Sequence, residues 1–220
     1  MYITKTREKI LRLFFDNPWR QIHLRGVVLR TGVNPQNAHK YLHQFVEDGL
    51  LLKSDFIQFA LYRINPRNAF IFKIFELFEL EKKRKFYAQN RALESRLSNF
   101  MKVCRRRSQN AIRSLILHGA ASRGEWTEGS QVDIMAVTAD QASARKVAPI
   151  LQESAASLRH MLNISFAHQA LEDVVQGLKK KDPVFTGLLK DRVVLYNEFL
   201  FWEIIRESRS RAFDIGEFRW

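Results

Sequence analysis

Residues 24–53, LRGVVLRTGVNPQNAHKYLHQFVEDGLLLK, contain two helical patterns separated only by Thr31-Gly32-Val33-Asn34, and this spacing decides how the first half of the chain folds. In the first pattern Leu24, Val27 and Val28 share one side, and Gly32 can adopt the left-handed conformation that closes a helix. The next helix starts at once, because Asn34 is a good N-cap and Pro35 suits the first helical position, where a missing N–H costs nothing. Ala38, Tyr41, Leu42 and Phe45 then fall at i, i+3, i+4 and i+7, a single stripe for the core. Gln36, Asn37, His39, Lys40, His43 and Gln44 are left facing outward, with no acid until Glu47 and Asp48. That face can approach phosphates without repulsion, and its Gln and Asn amides match the donor and acceptor edge of adenine in the major groove. The helix ends at Gly49.

Upstream, Ile10, Leu11, Leu13, Phe14 and Phe15 recur among basic residues from Lys5 to Asp16, a third amphipathic helix stopped by Asn17-Pro18. Downstream, Leu50–Lys53, a polar break at Ser54-Asp55 and Phe59–Ile64 predict two strands joined by a short turn. Through LRGVVLRTGVNPQNAHKYLHQFVEDGLLLK followed by ALYRIN, the first third of the chain resembles the winged helix-turn-helix domains of prokaryotic transcription regulators. The resemblance implies that the third helix enters the major groove of double-stranded DNA while the wing lies along the backbone or minor groove. Carried over, Gln36, Asn37, His39, Lys40, His43 and Gln44 are base and phosphate contacts, with Lys53 and Arg63 near the wing. The competing reading is a merely solvated helix face.

The bulk numbers fit a polyanion partner. Among 220 residues, 36 Lys and Arg stand against 23 Asp and Glu, a net charge of +13. Charge alone does not choose among DNA, RNA, an anionic membrane and an acidic protein. A hydrophobic share of 46% with 17 Phe excludes a wholly disordered chain. Cys104 is the single cysteine, so there is no internal disulfide, and no Cys/His cluster has zinc-ligand spacing. Charges interrupt the apolar residues of MYITKTREKILRLFF, unlike a secretory signal, and no uncharged segment is long enough to span a bilayer. The expectation is a cytoplasmic protein with no membrane partner.

From Asn68 to about Lys102 the chain has no Pro or Gly and is dense in apolar residues, which predicts one long or broken helix. Its early half, with Phe70, Ile71, Ile74, Phe75, Leu77, Phe78 and Leu80, is too apolar for full exposure and must pack within the chain or on a second copy. Homodimerisation would suit paired half-sites on DNA. The runs Lys82–Lys85 and Arg105–Arg107 are either solvated faces or an extension of a footprint along the DNA backbone.

In the second half, Ser114–His118 is a short apolar strand ending at Gly119, and Val132–Val137 is another, separated from the first by a polar loop. Gly119-Ala120, ten residues, then Gln131-Val132-Asp133 resembles the Gly-Ser, ten residues, Asp-x-Asp signature of minimal nucleotidyltransferases. Ser122-Arg123-Gly124-Glu125 and the stretch from Asp182-Pro183 to Tyr196 resemble the same family, so the likeness covers residues 105–197. That family uses the turn for nucleotide phosphate and the paired acids for divalent metal. Here Ala120 lacks the hydroxyl, and Gln131 replaces the first acid with a neutral amide. The third acid is expected on the strand at Leu162–Ala167, where Asn163 or Ser165 takes its place. Asp133 alone leaves at most weak binding of one magnesium ion or a nucleotide, and a local structural acid is the preferred reading of it. No catalytic residue, metal or cofactor is therefore expected beyond the remnant Gly119, Ala120, Gln131 and Asp133. Arg123 remains a candidate anion contact for a small-molecule or nucleotide effector.

The residues and the two resemblances together imply an α+β protein. Residues 1–66 are the winged-helix domain, 67–104 a helical connector, 105–197 a nucleotidyltransferase-like α/β domain with a small mixed sheet, and 198–220 a helical tail. The function implied is a sequence-specific transcription regulator with a catalytically degenerate second domain for dimerisation or effector sensing. Two alternatives stay open: an active nucleotidyltransferase of the antitoxin type, against which Ala120 and Gln131 count, and an RNA-binding scaffold.

Overall fold

The structure is a computed structural model that describes residues 4–56 and 58–208, and within these the chain is an α+β protein with two small sheets. It divides into two compact units, the boundary falling between Phe75 and Glu76.

The first unit runs α1 (Lys5–Asp16), β1 (Ile22–His23), α2 (Leu24–Thr31), α3 (Pro35–Glu47), β2 (Leu51–Phe56) and β3 (Phe59–Ile64), followed by the start of α4 (Ala69–Gln89). Local chemistry sets each helix end. The Thr4 side chain accepts from the Arg7 N–H to start α1, and His23 Nδ1 accepts from the Gly26 N–H at 2.9 Å to start α2. Gly32, at φ +66°, closes α2 by donating its N–H to the Val28 carbonyl. Asn34 Oδ1 then accepts from the Gln36 N–H at 2.9 Å, with Pro35 next to it in the first turn of α3. The core gathers Ile10, Leu11, Phe14, Phe15, Val27, Ala38, Leu42, Phe45, Leu61 and Ile64 with Ile71, Phe72 and Phe75 of α4, and Phe15 meets Phe75 edge-on at 5.9 Å.

The sheet of this unit has the order β1-β3-β2, all antiparallel, and differs from the sequence expectation in two ways. Ser54 and Asp55 do not form the turn; they pair with Leu61 and Ala60, and β2 continues to Phe56. Adjacent residues point to opposite faces, so Asp55 shares the exposed side with Lys53 while Ser54 lies half-buried on the side of Leu52 and Phe56, and their polarity does not break the strand. The short β1, Ile22 against Tyr62 and His23 against Leu61, makes β3 a central strand.

The expected connector is not a separate element. The boundary between the units falls inside α4, and α5 (Arg91–Ser108) lies wholly in the second unit, where Leu93, Leu97, Phe100 and Cys104 are buried. The break at Asn90 needs neither Pro nor Gly: Asn90 Nδ2 donates to the Phe86 carbonyl at 2.9 Å, a side-chain bond that competes with helical pairing.

The second unit continues with β4 (Ile112–His118), α6 (Gly119–Ser122), β5 (Gln131–Thr138), α7 (Gln141–Ser157), β6 (Asn163–Ala170), α8 (Leu171–Lys179), α9 (Pro183–Lys190), β7 (Arg192–Tyr196) and α10 (Glu198–Ser208). Its mixed sheet has the order β6-β5-β4-β7, and only β5 and β6 are parallel. A parallel pair requires a crossover, which α7 supplies. Leu93, Leu97 and Phe100 of α5 join Leu115, Leu117, Val132, Ile134, Val147 and Leu151 in one core. α10 buries Phe201, Trp202, Ile204 and Ile205 and packs on α8. The charged and aromatic end of the expected tail, residues 209–220, lies outside the described residues.

Arg192 and Glu79, 1% and 0% exposed, form a buried ion pair at 3.1 Å. Glu79 also accepts from the Val194 N–H, Arg192 donates to the Leu189 carbonyl, and the guanidinium lies 5.0 Å from the ring centroids of both Phe201 and Trp202. Burial of two charges is tolerated only with such additional partners. Among the described residues no helix is long and apolar enough to cross a membrane.

Candidate nucleic-acid interface and the motif turn

The caps of α3 set its rotation, and the buried stripe of Ala38, Leu42 and Phe45 sends the opposite face to the surface. Gln36, Asn37, His39, Lys40 and His43 are all exposed, and none of these side chains makes a hydrogen bond or ion pair with another described residue. His39 and His43, one turn apart, hold their rings 5.1 Å from each other. The structure thus brings five of the six expected α3 residues onto one open polar face. Gln44 is different: half-buried, it accepts from Arg7 Nη2 at 2.6 Å, and Arg7 also lies 5.3 Å from the Tyr41 ring. Gln44 ties α1 to α3.

On the hairpin, Lys53 is exposed and paired with Asp55 at 2.8 Å, and the hydrogen bond to Asp55 raises its pKa. Arg63 corrects the sequence reading. It is only 2% exposed, on the last four residues of β3, all of which are buried, so it is not a surface contact in this structure. Burial also lowers its pKa. The basic residue that the sequence reading passed over is Arg25. With His39, Lys53, Gln58 and Tyr62 it lines a groove of 390 Å³ where the start of α2, α3 and the hairpin meet. Its sequence signal was its place in the first turn of α2, two residues after the capping His23.

At the motif turn, Gly119 follows β4 at φ +71°, and a Cβ there would stand 2.9 Å from Asp133 Oδ2. Glycine is thus required both by the backbone and by the approach of the acid. Asp133 on β5 pairs with His118 of β4 on one side and with Ser165 of β6 on the other, while Gln131 pairs with Asn163. This register puts Ser165 beside Asp133, and β6 carries no carboxylate at all. Gln131 Nε2 donates to Asp133 Oδ1 at 2.6 Å, so the Gln131 amide satisfies one oxygen of the Asp133 carboxylate. Burial lowers the pKa of His118, against the opposing pull of Asp133.

These residues do not fit a two-magnesium centre. Such a centre needs several carboxylate oxygens around paired ions. The turn offers one carboxylate already bonded to an amide, and among the described residues no group of three His, Cys, Asp or Glu could hold a metal ion. Ala120 is exposed and brings no hydroxyl. Arg123 is held from three directions, with Nε and Nη2 on the Glu125 carboxylate at 2.9 and 2.7 Å and Nη1 on Asp191 at 3.1 Å. Those bonds raise its pKa and lower that of Glu125. An incoming anion would have to displace two carboxylates. Compared with known protein families, curated proteins and solved structures, the chain matches none.

Proposed function

We propose that this chain is a sequence-specific regulator that binds double-stranded DNA, with residues 5–64 acting as a winged helix and the second unit as a nucleotidyltransferase-like fold without catalysis. The observation that carries this reading is the α3 face: Gln36, Asn37, His39, Lys40 and His43 exposed together, without an acid among them and without hydrogen-bond or ion-pair partners for their side chains among the described residues. A helix face that is merely solvated has no need to be rich in amides and imidazoles, whereas base edges in the major groove require such donors and acceptors. Lys53 at the hairpin and Arg25 in the adjoining groove add phosphate contacts on either side of α3. The loss of chemistry rests on Ala120, Gln131 and the carboxylate-free β6. A homodimer is part of the proposal, since Leu77 and Leu80 of α4 remain 61% and 45% exposed and a second copy would cover them.

Salt titration of duplex binding tests the reading. Lys40→Ala is expected to weaken binding to all duplexes and to reduce the slope of log K against log salt by about one. Asn37→Ala is expected to cost about 1–3 kcal/mol on a preferred duplex and little on others. Unchanged slope and unchanged preference would remove α3 from the interface.

A further inference from the structure

The second unit has a groove that the proposed regulator does not use. It lies at the end of the sheet away from the motif turn: β4 leaves Asn110 and Ala111 and reaches His118 about 20 Å later by strand rise, while antiparallel β7 sets Arg192 beside His118 and Tyr196 beside Leu115. The groove encloses 540 Å³ between the last turns of α5, the Asn110 turn and the end of β7. Lys102, Arg105 and Arg106 supply one wall, and Met101, Leu195 and Tyr196 supply apolar and aromatic surface. No acid lines it.

The three cations stand out from their neighbours. Arg107, next in sequence, pairs with Glu153 at 3.6 Å, but among the described residues Lys102, Arg105 and Arg106 have no carboxylate partner. Arg105 instead lies over the Tyr196 ring, 4.2 Å from its centroid. The helix dipole favours basic residues at the end of α5, but a terminus carries only about half a charge. Three unit charges around one groove exceed what that terminus can balance. Guanidinium planes and aromatic rings both stack on nucleobases. The volume falls inside the range of about 300–1,000 Å³ usual for small-ligand sites.

We propose that this groove binds a nucleoside phosphate, with the base on the Arg105–Tyr196 stack and the phosphates on Lys102 and Arg106. It is a separate site from the motif turn, where Asp133 faces any incoming phosphate and Arg123 is already engaged. The site uses none of the α3 residues, so it stands or falls independently of DNA reading.

Calorimetric titration of the full chain in magnesium-free buffer, with ATP and GTP as probes, tests it. The expected result is saturable binding of at least one of them, weakened at least about tenfold by Lys102→Ala with Arg106→Ala. Tyr196→Phe should retain binding, Tyr196→Leu should weaken it, and Arg123→Ala should leave it unchanged, each variant first being shown to keep the wild-type urea midpoint. No saturable binding, or binding insensitive to the double variant, would overturn the site. Pyrophosphate binding as tightly as the nucleotides would overturn the role of the stack. Binding of oligothymidylate without binding of free nucleotide would overturn the small-ligand assignment.

Discussion

His118 sits where Asp133, the Gly119 turn and the centre of the sheet meet, and its titration carries a sign that can be measured. Burial lowers its folded pKa below the ordinary 6.5, Asp133 opposing. The unfolded chain therefore takes the proton first, so the stability associated with His118 is fully present above about pH 6.5 and is lost as pH falls through the folded value. Urea midpoints measured between about pH 7 and about pH 5 should fall further for the wild type than for His118→Gln. Equal falls would mean that His118 is not held neutral by the fold. Cys104 follows the simpler rule: it is fully buried, and burial pushes its pKa up to about 11, which keeps it in the inert thiol form. Arg63 was not legible from its residue type, since an arginine near the end of a strand looks like a surface contact, yet the last four residues of β3 are all buried.

At the scale of elements, the helices of the first unit were legible because their boundaries are written locally. Thr4 or Asn34 opens a helix, Pro35 starts one and Gly32 ends one, and each acts within a few residues of where it stands. The strand pair β4 and β5 and the later β6 were legible from apolar runs, but the register that puts Ser165 opposite Asp133 depends on α7 returning the chain in parallel, which no short pattern encodes. β1 has only two residues and exists through its partner β3. The split of α4 between two units was equally hidden, because a continuous apolar helix gives no sign of which core each turn joins. Glu79 and Arg192, far apart in sequence, make the link from α4 to β7 that settles its second half. Glu79→Ala, which strands a buried guanidinium, is expected to lower stability by about 3–5 kcal/mol, whereas Glu79→Met with Arg192→Leu should cost much less. Urea denaturation of both variants decides it, and equal losses would show that packing, not charge pairing, fixes this contact.

For the whole molecule, a net charge of +13 is shared among features with different consequences. The α3 face combines one lysine with amides and imidazoles, a composition suited to reading sequence. The α5 groove combines bare cations with an aromatic ring, a composition suited to a small phosphate ligand. The motif turn has neither, and its one acid is satisfied by Gln131. Magnesium-dependent transfer of label from a nucleotide to protein or RNA is accordingly expected to be at background and no lower in Asp133→Ala. Robust transfer that disappears in the variant would restore an enzyme reading.

In the proposed function α3 reads duplex sequence. Selection of bound duplexes from a random pool, with the wild type and with Gln36, Asn37 and Lys40 changed to Ala, tests it most directly. The expected result is a defined motif, an inverted repeat if two copies bind together, that the triple variant no longer selects. Sequence-blind binding, or a motif that survives the three substitutions, would contradict it.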